Sequence, residues 1–209
     1  MARIPTVSPS DAGLKTRLIL RLGPRMMEKL TGRRPENGME PIALYAHVPA
    51  LLGGILKLEQ ATAKVNRVEN RLKILAQLKA STLIGCEFCI DLGSQIARRS
   101  GLTDEELLAL PRYQESGLFT ELEMLVLDYA VGMTRTPVEV SDVLFAELRE
   151  HLDNPQLVEL TSLIALEGMR SRFNWALGVG AAGFSEGMVG ALPEPTNATA
   201  NGQFALRSS

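Results

Sequence analysis

A chain of 209 residues is long enough for one core of ordinary size and too short for two independent ones. Hydrophobic residues make up 45% and aromatics only 5%, with Leu, Ala and Met abundant, which favours helix over strand and predicts an all-α protein. No stretch approaches the roughly 20 apolar residues that span a bilayer, the opening MARIPTVSPSDAGLK lacks the apolar core of an export signal, and two neighbouring cysteines form no disulfide framework, so a cytoplasmic location is expected.

The formal net charge of -2 hides an asymmetry. Residues 1–35 carry eight Lys or Arg against two acids, so this part stands at +6 and the remainder at -8. Such polarity fits a basic first helix lying on an acidic body, its own or a neighbouring subunit's. The segment lacks the aromatics that stack on bases, and neither nucleic acid nor a membrane is expected as a partner.

In chain order, Ser8, Ser10 and Asp11 offer N-caps for a first helix in which Leu14, Leu18, Leu22, Met26 and Leu30 recur at helical spacing beside a stripe of Arg17, Arg21, Arg25 and Lys29. TGRRPENGMEP then turns the chain, and PIALYAHVP and ALLGGILKLEQATAKV follow. VENRLKILAQLKASTLIG is strongly helical, with Leu72, Leu75, Leu78 and Leu83 apolar and Arg71, Lys73 and Lys79 expected outside. Gly85 interrupts it, and a new helix runs from Cys86 through Ala97 to RRSG, where Gly101 suits a left-handed cap.

Thr103 with Glu106 reads as a capping box, Thr120 caps TELEMLVLDYAVGMTRTP, and Ser141 caps SDVLFAELREHL. NPQLVELTSLIALEGMRSRFNWALGV is the longest and most apolar helix and is expected to be central. These patterns divide the chain into a basic helical arm at 1–39, a main domain at 40–185 and a flexible tail at 186–209.

Cys86 and Cys89 stand three apart at a helix start, so both sulfurs share a face and unpaired amides with the positive dipole end favour thiolate. Three readings are open: thiol-disulfide redox, two cysteines serving as small hydrophobes, and zinc, which lacks further ligands because only His47 and His151 are present. No metal or organic cofactor is expected. Asp91 and Glu87 read as first-turn acids complementing the dipole, and His47 as a structural histidine. Glu167, Arg170 and Asn174 fall on one face of the last helix with Arg172 nearby, either a polar cluster at the site or a helix-to-helix salt bridge.

The succession RLKILAQLKASTLIGCEFCIDLGSQIARRSGLTDEELLAL, FTELEMLVLDYAVGMTRTPVEVSDVLFAELREHL and LVELTSLIALEGMRSRFNWALG resembles the carboxymuconolactone decarboxylase superfamily, in its alkylhydroperoxidase D-like (AhpD-like) branch, over roughly residues 40–185. The resemblance implies an AhpD-like helical domain with C-x-x-C at a helix N-terminus, assembled as a homo-oligomeric trimer or hexamer. It also implies Cys89 as the sulfur that attacks peroxide and Cys86 as the one that resolves it. The family's proton relay, E-x11-C-x-x-C-x3-H, is absent, because Ile74 and Gly93 stand where Glu and His are expected. Position 93 lies one turn after Cys89, where glycine leaves only space for a missing base.

The function expected is therefore a thiol-disulfide oxidoreductase or peroxidase, slow towards peroxide, supplied with electrons by a thiol reductant of unknown identity. A lyase or isomerase that holds a small carboxylate or lactone by Arg170 or Arg172 is the first alternative, and a non-catalytic, redox-sensitive oligomeric module the second.

Overall fold

The computed structural model describes residues 2–36 and 39–194, and every regular element among them is helical. The α-helices are α1 (Leu14–Thr31), α2 (Glu40–Tyr45), α3 (Pro49–Thr62), α4 (Asn70–Ile84), α5 (Glu87–Arg99), α6 (Asp104–Ala109), α7 (Tyr113–Ser116), α8 (Glu121–Thr134), α9 (Asp142–His151) and α10 (Asn154–Leu177). A single 3-10 turn at Leu110–Arg112 joins α6 to α7.

The central element is α4, which packs against α5, α8 and α10 and is buried on nearly every side. Leu72, Ala76 and Ala80 enter a core shared with Val126 and Ala130 of α8, Leu148 of α9 and Leu160 of α10. Ile74, Leu75 and Leu78 enter a second core with Ile90 of α5, Leu107 of α6 and Leu127 of α8. Small side chains at 76 and 80 let neighbouring helices approach closely on one side, while each buried leucine on the other contributes roughly 1.5–3 kcal/mol. Length had pointed to α10 as the centre, but α10 leaves Val158, Met169 and Trp175 at the surface. Lys79, expected outside, is among the most deeply buried side chains, because a helix enclosed on all faces has no outer stripe on which to place it.

Helix starts follow their caps. Thr103, Thr120 and Asp153 form reciprocal capping boxes with Glu106, Glu123 and Gln156. Two of these glutamates serve twice, since Arg71 of α4 pairs with Glu106 at 2.5 Å and with Glu123, tying the starts of α6 and α8 to the central helix. Glu159 of α10 accepts the backbone N–H groups of Arg67 (2.8 Å) and Val68 (3.0 Å), which fixes the approach to α4.

The amino-terminal arm lies on the body. Arg3 N–H donates to the Leu177 carbonyl at 2.7 Å, Val7 N–H to Ala43 at 3.2 Å, and His47 Nε2 meets the Pro5 carbonyl at 2.8 Å, a structural use of that histidine. Helix α1 starts after Gly13 with no side-chain cap, so Ser8, Ser10 and Asp11 do not serve there. It turns Thr16, Met27 and Thr31 inward, whereas its apolar stripe faces out, with Leu14 83%, Leu18 58% and Met26 70% exposed.

After α10 the chain stays on the body, contrary to the tail expected from 186. Val179, Ala182, Phe184 and Ala191 are buried, and the part of the expected tail at 195–209 lies outside the described residues. The reason is Asp91, which does more than complement a dipole. Its buried carboxylate accepts from the N–H groups of Ala182 (2.8 Å), Phe184 (3.0 Å) and Ser185 (2.6 Å) and from the Ser185 hydroxyl (2.6 Å). Hydrogen bonds to a charged acceptor contribute about 1.5–3 kcal/mol each. Asp91→Asn keeps the shape but turns an amide donor toward backbone donors. The expected loss is about 3 kcal/mol, a fall in Tm of roughly 6–12 °C, with faster hydrogen exchange confined to 179–186; an unchanged Tm would show that the clamp does not hold the segment.

Candidate functional site

The two cysteines sit where α4 turns into α5. Helix α4 ends in a left-handed residue, Gly85 (φ 76°), which glycine alone adopts without strain, and Gly85 and Cys86 both donate backbone N–H to the Ser81 carbonyl. Cys86 is then extended (φ -77°, ψ 100°) and occupies the N-cap of α5, with Cys89 at the third helical position. At an N-cap a Ser or Asp oxygen ordinarily accepts the N–H of that third position. Here a sulfur does so: Cys86 Sγ accepts from the Cys89 N–H at 3.2 Å.

Both thiols are free and buried, packed with Phe88, Leu44, Val179 and Phe184, the last meeting Phe88 edge to face at 6.0 Å. Over them lies one face of α10, in which Glu167, Ser171 and Asn174 follow each other at helical intervals and are all buried. Asn174 Nδ2 donates to Cys89 Sγ at 3.4 Å and, more weakly, to Cys86 Sγ at 3.8 Å. Its Oδ1 is buried without a hydrogen-bond partner among the described residues, a condition that ordinarily costs about 1–3 kcal/mol. The Ser171 hydroxyl donates to Glu167 Oε1 at 3.0 Å.

These neighbours drive the two sulfurs apart. Cys86 titrates below the ordinary thiol range, because the Cys89 thiol donates to it and the Cys89 N–H and the Asn174 amide add to this, against burial and the charge of Glu167. Cys89 is pushed far above that range by its hydrogen bond to Cys86, by burial, and by the charges of Glu167 and Cys86, with Ser171 opposing. The two thiols thus form a coupled pair whose hydrogen bonds favour the anion on Cys86 over Cys89.

The residues singled out from sequence separate here. Glu167 and Asn174 face the cysteines. Arg170 stands one layer back, gripping Glu59 through two nitrogens (2.8 and 2.5 Å) and Glu167 at 3.0 Å. Arg172 points elsewhere and donates to the carbonyls of Thr134 (2.9 Å) and Gly168 (3.3 Å). Ser171 went unnoticed in the sequence, although it lies four residues after Glu167 and three before Asn174, a spacing that places it on their face. The supposed room at Gly93 is filled: a Cβ there would lie 3.0 Å from Leu78 Cδ1 of α4, so closeness of two helices rather than a vacant base position explains the glycine.

Comparison with known proteins agrees with this architecture. Residues 49–131 match the Carboxymuconolactone decarboxylase family. The uncharacterized protein YnjA of Escherichia coli (strain K12) is 38% identical over 113 residues, which cover 54% of this chain and 62% of YnjA, so the matched part falls short of that relative's whole length. Among solved structures, the debrominase Bmp8 superposes with a TM-score of 0.71 at 22% identity, covering 86% of this chain and 91% of Bmp8. An alkylhydroperoxidase AhpD core protein described as peroxidase-related, from Ralstonia eutropha JMP134, gives 0.68 at 17% identity, covering 86% and 92%. Residues 49–131 thus carry the sequence likeness to the Carboxymuconolactone decarboxylase family, and the fold around the cysteine pair is the one seen in the AhpD-like neighbour.

Proposed function

We propose that the chain is a thiol-disulfide oxidoreductase of peroxidase type in which Cys86 is the attacking thiolate and Cys89 the resolving thiol, the reverse of the order that family resemblance implies. The observation that carries this reading is the placement of Cys86 Sγ at the N-cap of α5, with the Cys89 N–H directed at it. Only thiolate is nucleophilic, and the cap stabilises thiolate on this sulfur.

In the first step the Cys86 thiolate attacks the terminal oxygen of a hydroperoxide. An S–O bond forms, the O–O bond breaks, and the alkoxide leaves with a proton as an alcohol, so that sulfur is oxidised to sulfenic acid. Cys89 then attacks the sulfenic sulfur and hydroxide departs as water. The sum is one hydroperoxide and two thiols giving one disulfide, one alcohol and one water; an external dithiol returns the pair to the reduced state.

The second step needs a proton acceptor for Cys89. Ser171 lies against Cys89 and donates to Glu167, so a proton leaving Cys89 has a path through that hydroxyl to a carboxylate. The unpartnered Oδ1 of Asn174 supplies an acceptor for the peroxide O–H. In this reading the relay absent at positions 74 and 93 is furnished by α10. Because Bmp8 is a debrominase and a cysteine-to-alanine form of it binds 2,3,4-tribromopyrrole, a bromopyrrole is a second candidate oxidant: the C–Br bond breaks, bromide leaves, a proton takes its place on carbon, and the two thiols become a disulfide.

The lyase alternative fares less well, since Arg170 and Arg172, its anchors for a substrate anion, are already engaged by Glu59, Glu167 and backbone carbonyls. As for assembly, the outward stripe Leu14, Leu18, Leu22 and Met26, bordered by basic residues, suits contact with the acidic body of another copy. Replacing Leu18 and Leu22 together by Glu is expected to dissociate the homo-oligomer in sedimentation while leaving the helical content intact; an unchanged sedimentation coefficient removes α1 from the interface.

Titration of ultraviolet thiolate absorbance in the reduced protein is expected to show one thiolate forming below the ordinary midpoint of about 8.5, and the second only in strong alkali. Removing a donor to the anion by Asn174→Ala moves the first midpoint up, and removing a negative charge by Glu167→Gln moves it down. Two independent transitions near the ordinary midpoint would remove the basis for the assignment. In peroxide consumption, Cys86→Ser loses the reaction, whereas Cys89→Ser consumes about one equivalent and stops with sulfenic acid on Cys86. Sulfenic acid found on Cys89 in the Cys86→Ser protein restores the opposite order.

A further inference from the structure

Away from the cysteines, a second set of charged groups converges on the buried Lys79. Its side chain is 1% exposed, its ammonium donates to the Leu110 carbonyl at 2.9 Å and to Glu194, and it stands 4.5 Å from the centroid of the Tyr113 ring. An ammonium in an interior is destabilising unless it is paired, so the plainest account is a structural ion pair.

Three observations go further. The partner carboxylate does not come from the helix bundle; it comes from Glu194, beyond Ala191, whose N–H is bonded to Ser94 Oγ. Between them Leu192 is half exposed, and Glu194 N–H to the Thr82 carbonyl (3.0 Å) is the backbone bond that holds this end. Moreover, the pair opens on a cavity of about 350 Å³, which lies in the range of small-ligand sites. Finally, Arg135, the residue just past the end of α8, lines the same cavity, is largely exposed and among the described residues pairs with Glu139 of the following loop at 2.9 Å, so a second cation stands near the mouth.

The other charges facing the cavity are Asp128, which accepts a hydrogen bond from the Tyr113 hydroxyl, and Glu139. With Glu194 in place the lining carries two cations and three carboxylates; with Glu194 withdrawn the balance is even, and Lys79 lacks its counter-charge. Burial draws the Lys79 amine below its ordinary range while Glu194 opposes this, as a carboxylate ligand in the same position would.

We propose that the Lys79 cavity is a binding site for a small organic carboxylic acid, and that Glu194 occupies the carboxylate position in cis when no acid is bound. A monocarboxylate replaces Glu194 at the Lys79 ammonium; a dicarboxylate also reaches Arg135. The site is independent of the cysteine chemistry. The affinity of the intact chain is the intrinsic affinity reduced by the fraction of molecules in which Glu194 has withdrawn.

The test uses the full chain and its Glu194→Gln variant, titrated with acetate and with succinate against sodium chloride at matched ionic strength, and followed by amide chemical shifts. Glu194→Gln is expected to bind succinate about tenfold more tightly than the intact chain, with acetate weaker than succinate. The shifts are expected to centre on 79–83 and 110–114 and to persist when both cysteines are replaced by Ser. Lys79→Met, where it folds, is expected to abolish them, and Arg135→Ala to erase the preference for succinate over acetate. No binding beyond the chloride control in Glu194→Gln, or shifts centred elsewhere, overturns the proposal and leaves Lys79 with Glu194 a structural pair.

Discussion

A sulfur at the head of a helix sets the terms for this molecule. Cys86 occupies a position that in most helices belongs to a hydroxyl or carboxylate oxygen, and the amide that greets it belongs to Cys89, the other thiol of the pair. Backbone geometry therefore makes the two cysteines unequal before any other side chain is considered. Gly85 is what makes this possible: it closes α4 in a left-handed turn and sends the chain straight into the cap. The dipole at an exposed helix end contributes only about 0.3–1 kcal/mol, so it cannot by itself move a thiol far. Burial strengthens the remaining donors, and Asn174 and the Cys89 thiol add to a stabilisation that the cap begins.

The carboxylate of Glu167 works against that stabilisation, since its charge disfavours thiolate on both sulfurs. Arg170 reduces the conflict by donating to Glu167 as well as to Glu59, and Ser171 stands between Glu167 and Cys89. A site built only to lower a thiol pKa would not place a carboxylate there. Under the proposed redox function that carboxylate has a use, as acceptor of the proton released when the disulfide closes, and the amide oxygen left unpaired beside the sulfurs among the described residues has one as an acceptor for the peroxide.

Much of the fold was legible from local signals. The capping box at Thr103, the cap at Thr120, the break at Gly85 and the long final helix are features whose cause lies within a few residues of their effect. What escaped reading depended on distance. Lys79 and Arg71 look alike as cations on one helix, yet Arg71 reaches two capping glutamates while Lys79 is enclosed, because only the packing of α4 against its three neighbours decides which face is outside. The leucine stripe of α1 had the period of a buried face and faces outward. Periodicity identifies an apolar face without saying what covers it. At the site, Glu167 and Asn174 were recognisable by spacing, whereas Ser171 was overlooked as an ordinary helix serine, and Asp91 was credited with a dipole role although its partners lie some ninety residues away.

The last segment of the described chain brings the two halves of the molecule together. Residues 179–186 roof the cysteines, and the roof is held by four hydrogen bonds to one carboxylate and by Phe184 against Phe88. Among the described residues, 192–194 are held to α4 by the Glu194 N–H to Thr82 bond and the Glu194–Lys79 pair. Opening free energies follow such local differences, so the two parts of one strap need not move together. The first part keeps water from the sulfurs, which sharpens every charge interaction between them, while the second ends on the lysine that α4 buries. Because α4 carries that lysine and, at its end, the glycine that positions Cys86, the central helix is the rigid member to which both sites are fixed.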